Sequence, residues 1–287
     1  MSRIVYVNGH YRPYGEAAVH AEDRGFQFAD AVYEVIEVRD GRLVDETRHM
    51  DRLARSLSAI SVQPPMSRPA LAHVLREVIR RNRVRHGTVY LQVSRGAAPR
   101  DFLFPTAGLQ PTVVCLARAS SQTVLDARAA EGISVVSIPD IRWGRCDIKT
   151  VMLLPACLAK TEARDSGARE AWLIDADGFV TEGASSNAWI VTGKGELVTR
   201  PASSAILSGV TRATLIDALA HERMQLAQRP FRLTEALAAK EAFITAASNI
   251  VMPVVRIDGA AIGDGRPGPV ALRLRAVFHH IAERSSH

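Results

Sequence analysis

Cysteine is scarce in this chain: Cys115, Cys146 and Cys157 are the only three among 287 residues, and no two form a CxxC pair. That count excludes an even disulfide framework and argues against a structural zinc site, and it suits a reducing compartment. No metal is expected. Long apolar runs are missing too. No stretch approaches about eighteen uninterrupted apolar residues, and the opening MSRIVYVNGHYRPYGE lacks the apolar centre of a signal peptide. The expectation is a soluble, cytoplasmic protein with no membrane partner. Internal repeats and low-complexity tracts are absent as well, which leaves no basis for a repeat array or a disordered tail.

What is present is ordinary globular material. At 47% hydrophobic and 23% charged residues the chain can fill one or two cores, and two domains are expected. The net charge of +6 would permit nucleic-acid binding, but basic residues are mostly interspersed with acidic ones. The densest cluster, IRRNRVRH at 79 to 86, falls where a helix is predicted to end. Cations there complement the helix dipole, so no nucleic-acid partner is inferred.

Alternation and turn signals outline the first half. Ile4 to Val7 followed by Asn8-Gly9 predicts a hairpin returning through His10 to Tyr14. Val32 to Arg39 and Arg42 to Val44 form a second pair about Asp40-Gly41, with Val32, Glu34, Ile36 and Val38 on one face and Tyr33, Val35 and Glu37 on the other. Asp45 is expected to cap a helix through Ile60, and Arg52 lies beside its apolar stripe. A second helix runs from Ser67 to about Arg83, followed by strands Thr88 to Ser94 and Thr112 to Ala117. Between those strands, RGAAPRDFLFP at 95 to 105 is a loop whose arginines and aromatics make it a site candidate. The polar stretch after residue 118 predicts a linker at 119–123 between domains at 1–118 and 124–287. The second half alternates strands and helices, with strands near 133–138, 171–174, 188–191 and 243–246 and helices near 155–166, 210–220 and 270–283.

The chemistry concentrates in DIRWGRCDIK, residues 140 to 149. Lys149 is stranded among Ile148, Val151, Met152, Leu153 and Leu154. One reading is a lysine snorkelling from a strand end. The other is a Schiff-base lysine whose amine sheds its proton through burial and the neighbouring cations Arg142 and Arg145. Glu182, in TEGASSN, would then face the ring nitrogen of pyridoxal 5'-phosphate, where a carboxylate keeps the pyridine protonated; the alternative is a glutamate at a turn. Ser185 and Ser186 follow Glu182 as small hydroxyl residues beside which a flat ring could approach the backbone, or as turn chemistry. Ser208-Gly209 before Val210 and Thr211 is either a plain helix cap or a phosphate-binding helix N-terminus.

The segment from Asp140 to Val191 resembles the lysine-to-glutamate core of the D-amino-acid aminotransferases, fold type IV pyridoxal phosphate enzymes of the class IV aminotransferase family. EDRGFQFADAVYEV, HMDRL at 49 to 53, SRGAAPR at 94 to 100 and ILSGVTR at 206 to 212 match in order. The resemblance implies a two-domain α/β protein, a small N-terminal α/β domain and a larger, β-barrel-like C-terminal one with the cofactor in the cleft between them. It implies a homodimer acting by ping-pong transamination between a D-amino acid such as D-alanine and a 2-oxo acid such as 2-oxoglutarate. It makes Lys149 the catalytic base, and Arg52, Val210, Thr211 and Ser248 phosphate ligands. Leu207 packs on the ring, and Arg142 approaches the phenolic oxygen of the cofactor. Tyr33 and Arg100 hold the substrate carboxylate. Phe102 stands where the pattern has a histidine, which removes a donor and makes the carboxylate trap more apolar. Branched-chain L-amino-acid aminotransferase and aminodeoxychorismate lyase are the alternatives on the same scaffold.

Overall fold

Asn8 and Gly9 take φ of 45° and 92° and turn β1 (Ile4–Val7) back onto β2 (His10–Pro13), as the Asn-Gly pair predicts. The computed structural model describes residues 3–106, 108–222 and 225–285. Two compact units emerge. The first joins Met1–Ser121 with Ile148–Met152 and Glu283–His287, and the second joins Gln122–Asp147 with Leu153–Ala282.

In the first unit, α1 (Arg24–Phe28) precedes β3 (Ala31–Arg39), β4 (Arg42–Leu43), α2 (Glu46–Ala59), α3 (Arg68–Arg81), β5 (His86–Ser94) and β6 (Thr112–Ala119). Its antiparallel sheet has the order β2-β1-β6-β5-β3-β4. Strand alternation sends Val32, Ile36 and Val38 to the same core as Val89 and Leu91 of β5 and Val113 and Cys115 of β6. Met50, Leu53 and Leu57 of α2 and Leu71, Leu75 and Val78 of α3 close that core at helical spacing. The other sheet face carries Tyr33 opposite Gln92 and Val35 opposite Tyr90. Asp45 departs from expectation: its φ is 54° and its side chain makes no capping bond, because Oδ1 accepts the Glu283 N–H at 3.0 Å. The chain end docks here, with Ser285 N donating to Leu43 O.

Residues 148–151 add themselves to β3 at the end that β4 leaves uncovered. Tyr33 N donates to Lys149 O at 3.0 Å and Val151 N to Ala31 O at 3.1 Å, while Ile148 is buried in the core. Lys149 thus belongs to the first unit.

The second unit begins with α4 (Gln122–Glu131), then β7 (Ile133–Pro139), α5 (Leu154–Asp165), β8 (Glu170–Ile174), β9 (Val180–Gly183), β10 (Asn187–Val191) and β11 (Leu197–Thr199). α6 (Val210–Glu222), β12 (Leu226–Gln228), α7 (Leu233–Leu237), β13 (Glu241–Ala246), β14 (Ile250–Ile257), β15 (Ala260–Ala261) and α8 (Pro269–Ile281) complete it. The mixed sheet runs β12-β11-β10-β13-β14-β7-β8-β9, with β15 on β14. α4 escapes prediction because only Ala129 of its residues is buried, so no apolar period marks it. Among the described residues no helix is long and apolar enough to cross a membrane.

Candidate active site

Lys149 is fixed through its backbone: besides the bonds to β3, its N–H donates to Ser56 Oγ at 3.3 Å. Its half-buried side chain places Nζ 4.2 Å from the centroid of the Tyr33 ring, a cation–π distance. Tyr33 is therefore not a core residue but the floor under the lysine. The two arginines expected to act on this amine are each neutralised within the second unit. Arg145 pairs with Asp147 at 2.8 Å, and Arg142 binds Asp140 at 2.7 Å and also Glu182.

Arg52 is buried rather than a surface residue flanking the stripe. Its Nε and Nη2 donate to Glu34 Oε1 and Oε2 at 2.8 and 2.7 Å, and His49 Nδ1 meets Glu34 Oε2 at 2.7 Å. Glu34 has 0% exposure. Burial raises its carboxyl, but the Arg52 charge and the bonds from Arg52 and His49 outweigh that and bring it to about 2. Burial lowers His49, so the ring is neutral and its Nδ1 carries the proton facing the carboxylate. The arrangement holds the guanidinium in one orientation.

The loop after β5 is wrapped in arginine–aromatic contacts. Arg24 and Arg95 both bind Asp30, at 2.8 and 2.6 Å, and Arg24 Nη1 donates to Asp101 O. Arg95 lies 3.9 Å from the Phe104 ring, and Arg100 lies over Phe28 at 4.9 Å and Phe102 at 5.9 Å. Phe102 itself is 84% exposed.

In the second unit Glu182 stands next to last in β9, 4% exposed. Its carboxylate accepts from Arg142, from Asn187 Nδ2 at 2.9 Å and from the Leu207 N–H at 3.1 Å. Asp140 steadies Arg142 from behind and also accepts from Thr181 Oγ1. Burial pushes the Asp140 carboxyl up and lowers Arg142, but their mutual hydrogen bonds and charges win, so both stay ionised. Leu207 thus contributes its backbone, donating to Glu182 and accepting from Asn187.

Two residues on, Gly209 is mandatory for this packing, since a Cβ there would stand 2.0 Å from Asn187 Oδ1. α6 then opens at Val210 and Thr211, whose buried positions present first-turn amides. Arg212 follows, 3% exposed, with Nη2 on Arg200 O and Gln228 Oε1 and with Nε lacking a partner.

The Ser185 and Ser186 hydroxyls both donate to Glu170 Oε2, at 2.7 and 3.2 Å, and brace the turn after Glu182. Ser248 is exposed in the three-residue turn between β13 and β14. The next residue but one, Ile250, takes φ of 60°, a strained conformation for a β-branched side chain and a mark of sites held under constraint. Cys146 packs, its thiol pushed up to about 11 by burial. Glu34, His49, Asp140, Asn187 and Glu170 were not singled out from sequence. Glu34 on an apolar strand face, answered by His49 and Arg52 one turn apart on α2, was the readable signal for the first trio.

These residues can be tested against a phosphorylated pyridine. A buried, fully oriented carboxylate suits a protonated ring nitrogen, and a helix N-terminus beside a buried arginine with an unpartnered Nε suits a dianion. The donor set fits.

Comparison with known proteins agrees. Residues 31–257 match the amino-transferase class IV family. The D-alanine aminotransferase of Staphylococcus haemolyticus is 37% identical over 283 residues, 98% of this chain and 99% of that protein. That of Bacillus licheniformis is 36% identical, covering 96% of each. The branched-chain amino acid aminotransferase of Escherichia coli superposes with a TM-score of 0.88 at 25% identity, over 98% of this chain and 95% of its own. The fold is that of the fold type IV aminotransferases. The chain belongs to the class IV aminotransferase family, pyridoxal phosphate-dependent enzymes.

Proposed function

We propose that this chain transfers the amino group of D-amino acids such as D-alanine to 2-oxo acids such as 2-oxoglutarate. The observation that carries the reading is its likeness along nearly the whole chain to D-alanine aminotransferases. Lys149 Nζ, held over Tyr33, is the nucleophile and takes the substrate's α-proton. Pyridoxal phosphate, when bound, supplies the carbonyl that receives the amino group and the electron sink for the α-carbon. Glu182, oriented by Arg142 and Asn187, offers the acceptor for a protonated ring nitrogen. Arg52, Val210, Thr211 and Ser248 are the proposed phosphate ligands, and Leu207 lies at the ring. Ser185 and Ser186, braced by Glu170, are the small residues beside which the flat ring approaches the backbone. Tyr33 and Arg100 bind the substrate carboxylate, with Phe102 supplying apolar contact. A cytoplasmic homodimer completes the proposal.

The test is a visible spectrum of the purified protein, followed by D-alanine and, separately, L-leucine with no 2-oxo acid present. D-Alanine should bleach the cofactor band in a single turnover while L-leucine leaves it. Faster bleaching by L-leucine would move the chain to the branched-chain class. A Lys149→Ala variant with the parent's spectrum would end the reading.

A further inference from the structure

The face of the first sheet turned away from α2 and α3 holds two residues, Tyr90 and Gln92, that the proposed chemistry leaves without a role. Tyr33 faces Gln92 across β3 and β5, and Tyr90 lies on the diagonal. The Tyr33 and Tyr90 rings stack with centroids 5.7 Å apart and planes at 29°. Tyr90 Oη donates to Gln92 Oε1 at 2.7 Å. Burial, with Tyr33 beside it, pushes the Tyr90 phenol up to about 12, so this hydroxyl stays a donor at any working pH. Beyond Tyr33 comes the Lys149 amine. The series runs Gln92, Tyr90, Tyr33, Lys149.

The geometry points to Tyr90 and Gln92 as positioning residues: Gln92 fixes the Tyr90 ring, Tyr90 fixes the Tyr33 ring, and Tyr33 holds the Lys149 amine in place. The physical need is clear. The backbone of Lys149 is anchored by β3 and Ser56, yet four side-chain torsions still separate that anchor from Nζ. A ring contact localises the amine only if the ring itself cannot turn. Stacking alone is a weak restraint. A hydroxyl bond at the far end of the stacked partner removes the remaining freedom. The catalytic importance of the arrangement rests on the role proposed for Lys149, whereas the positioning itself can be read without it.

Four lysines, Lys149, Lys160, Lys194 and Lys240, make that reading practical. The full-length protein, freed of pyridoxal phosphate, is trace-labelled with acetic anhydride, and the labelling rate of Lys149 is measured by mass spectrometry with the other three lysines as internal references. Gln92→Leu and Tyr90→Phe should each speed Lys149 labelling about fivefold, the worth of one neutral hydrogen bond, because an unheld ring no longer covers the amine. Gln92→Glu keeps an acceptor and should stay near the parent rate. Tyr33→Leu should speed labelling at least as much, and adding Gln92→Leu to it should change nothing further. The inference is overturned if Gln92→Leu and Tyr90→Phe label as the parent does, or if the Gln92 and Tyr33 effects multiply independently. Tyr90→Phe keeps the ring and so remains readable should Gln92→Leu fail to fold. Spectra of Lys149→Ala with added pyridoxal phosphate test the catalytic reading separately.

Discussion

Glu34→Gln tests the buried trio. In the parent, Glu34 accepts two bonds from Arg52 and one from His49 with no exposure to water. A glutamine keeps the shape but offers one acceptor oxygen, and its –NH2 must face a guanidinium or an imidazole N–H. Losing one member of a buried ion pair costs about 3–5 kcal/mol. A carboxyl held at about 2 rather than its ordinary 4.5 points to a contribution on the order of 3 kcal/mol at neutral pH. The sign follows from the direction: the folded-state value is depressed, so the stabilisation is complete above pH 4.5 and is lost as pH falls toward 2. The gap between parent and variant should therefore shrink by about 2 kcal/mol between pH 7 and pH 3. Trp143, Trp172 and Trp189 all lie in the second unit, so their fluorescence reports that unit alone. Amide hydrogen exchange at β3 and α2 reports the first. Exchange there should quicken about a hundredfold at pH 7. A change of less than about 1 kcal/mol, or a gap indifferent to pH, would refute the ionised trio.

Three further outcomes are expected. Gly209→Ala drives a Cβ into Asn187 Oδ1, so it should cost about 1–3 kcal/mol of stability in denaturant titrations and weaken pyridoxal phosphate binding, since Asn187 also holds Glu182. Asp140→Asn removes the charge behind Arg142 and should cost about 1–3 kcal/mol. Because the Asp140 carboxyl is depressed, its gap to the parent should close as pH falls below the ordinary carboxylate range, followed by thermal melts. Phe102→His restores a donor at an exposed position; stability should stay within about 0.5 kcal/mol, while kcat/KM for D-glutamate relative to D-alanine should rise about tenfold.

Much of the first unit was legible because its signals are local. Asn8-Gly9 dictated a turn, alternation sorted Val32 to Val38 onto faces, and the spacing of Met50, Leu53 and Leu57 marked α2. What escaped depends on residues far apart in the chain. Asp45 carries the usual chemistry of a helix cap, yet Glu283 claims its side chain from the other end of the chain. Glu34 reads as one polar residue in a strand until His49 and Arg52 turn toward it. Ser185 and Ser186 look like turn hydroxyls until Glu170 is seen beneath them. Lys149 and Glu182 each stand out in the sequence, but the groups that hold them do not: β3 fixes the lysine backbone by strand addition, and Asn187 Nδ2 and the Leu207 N–H bond the glutamate from 5 and 25 residues away.

Asp140 and Arg142 show why the neighbours of a reactive group cannot be judged by charge alone. Two positions apart in DIRWGRCDIK, they invite the reading that the arginine repels a lysine's proton. The guanidinium is instead divided between Asp140 and Glu182, with Nε and Nη2 on the first and Nη1 on the second. A planar fork of donors can hold two carboxylates at once and fix the second by means of the first, which a lysine at 142 could not do. The arginine's part is thus to aim an acceptor. On that reasoning Arg142→Lys should keep the charge yet loosen Glu182, and it should weaken cofactor retention about as much as Arg142→Ala. A lysine that fully replaced the arginine, in cofactor retention and in thermal stability, would show that charge and not geometry is what Glu182 requires.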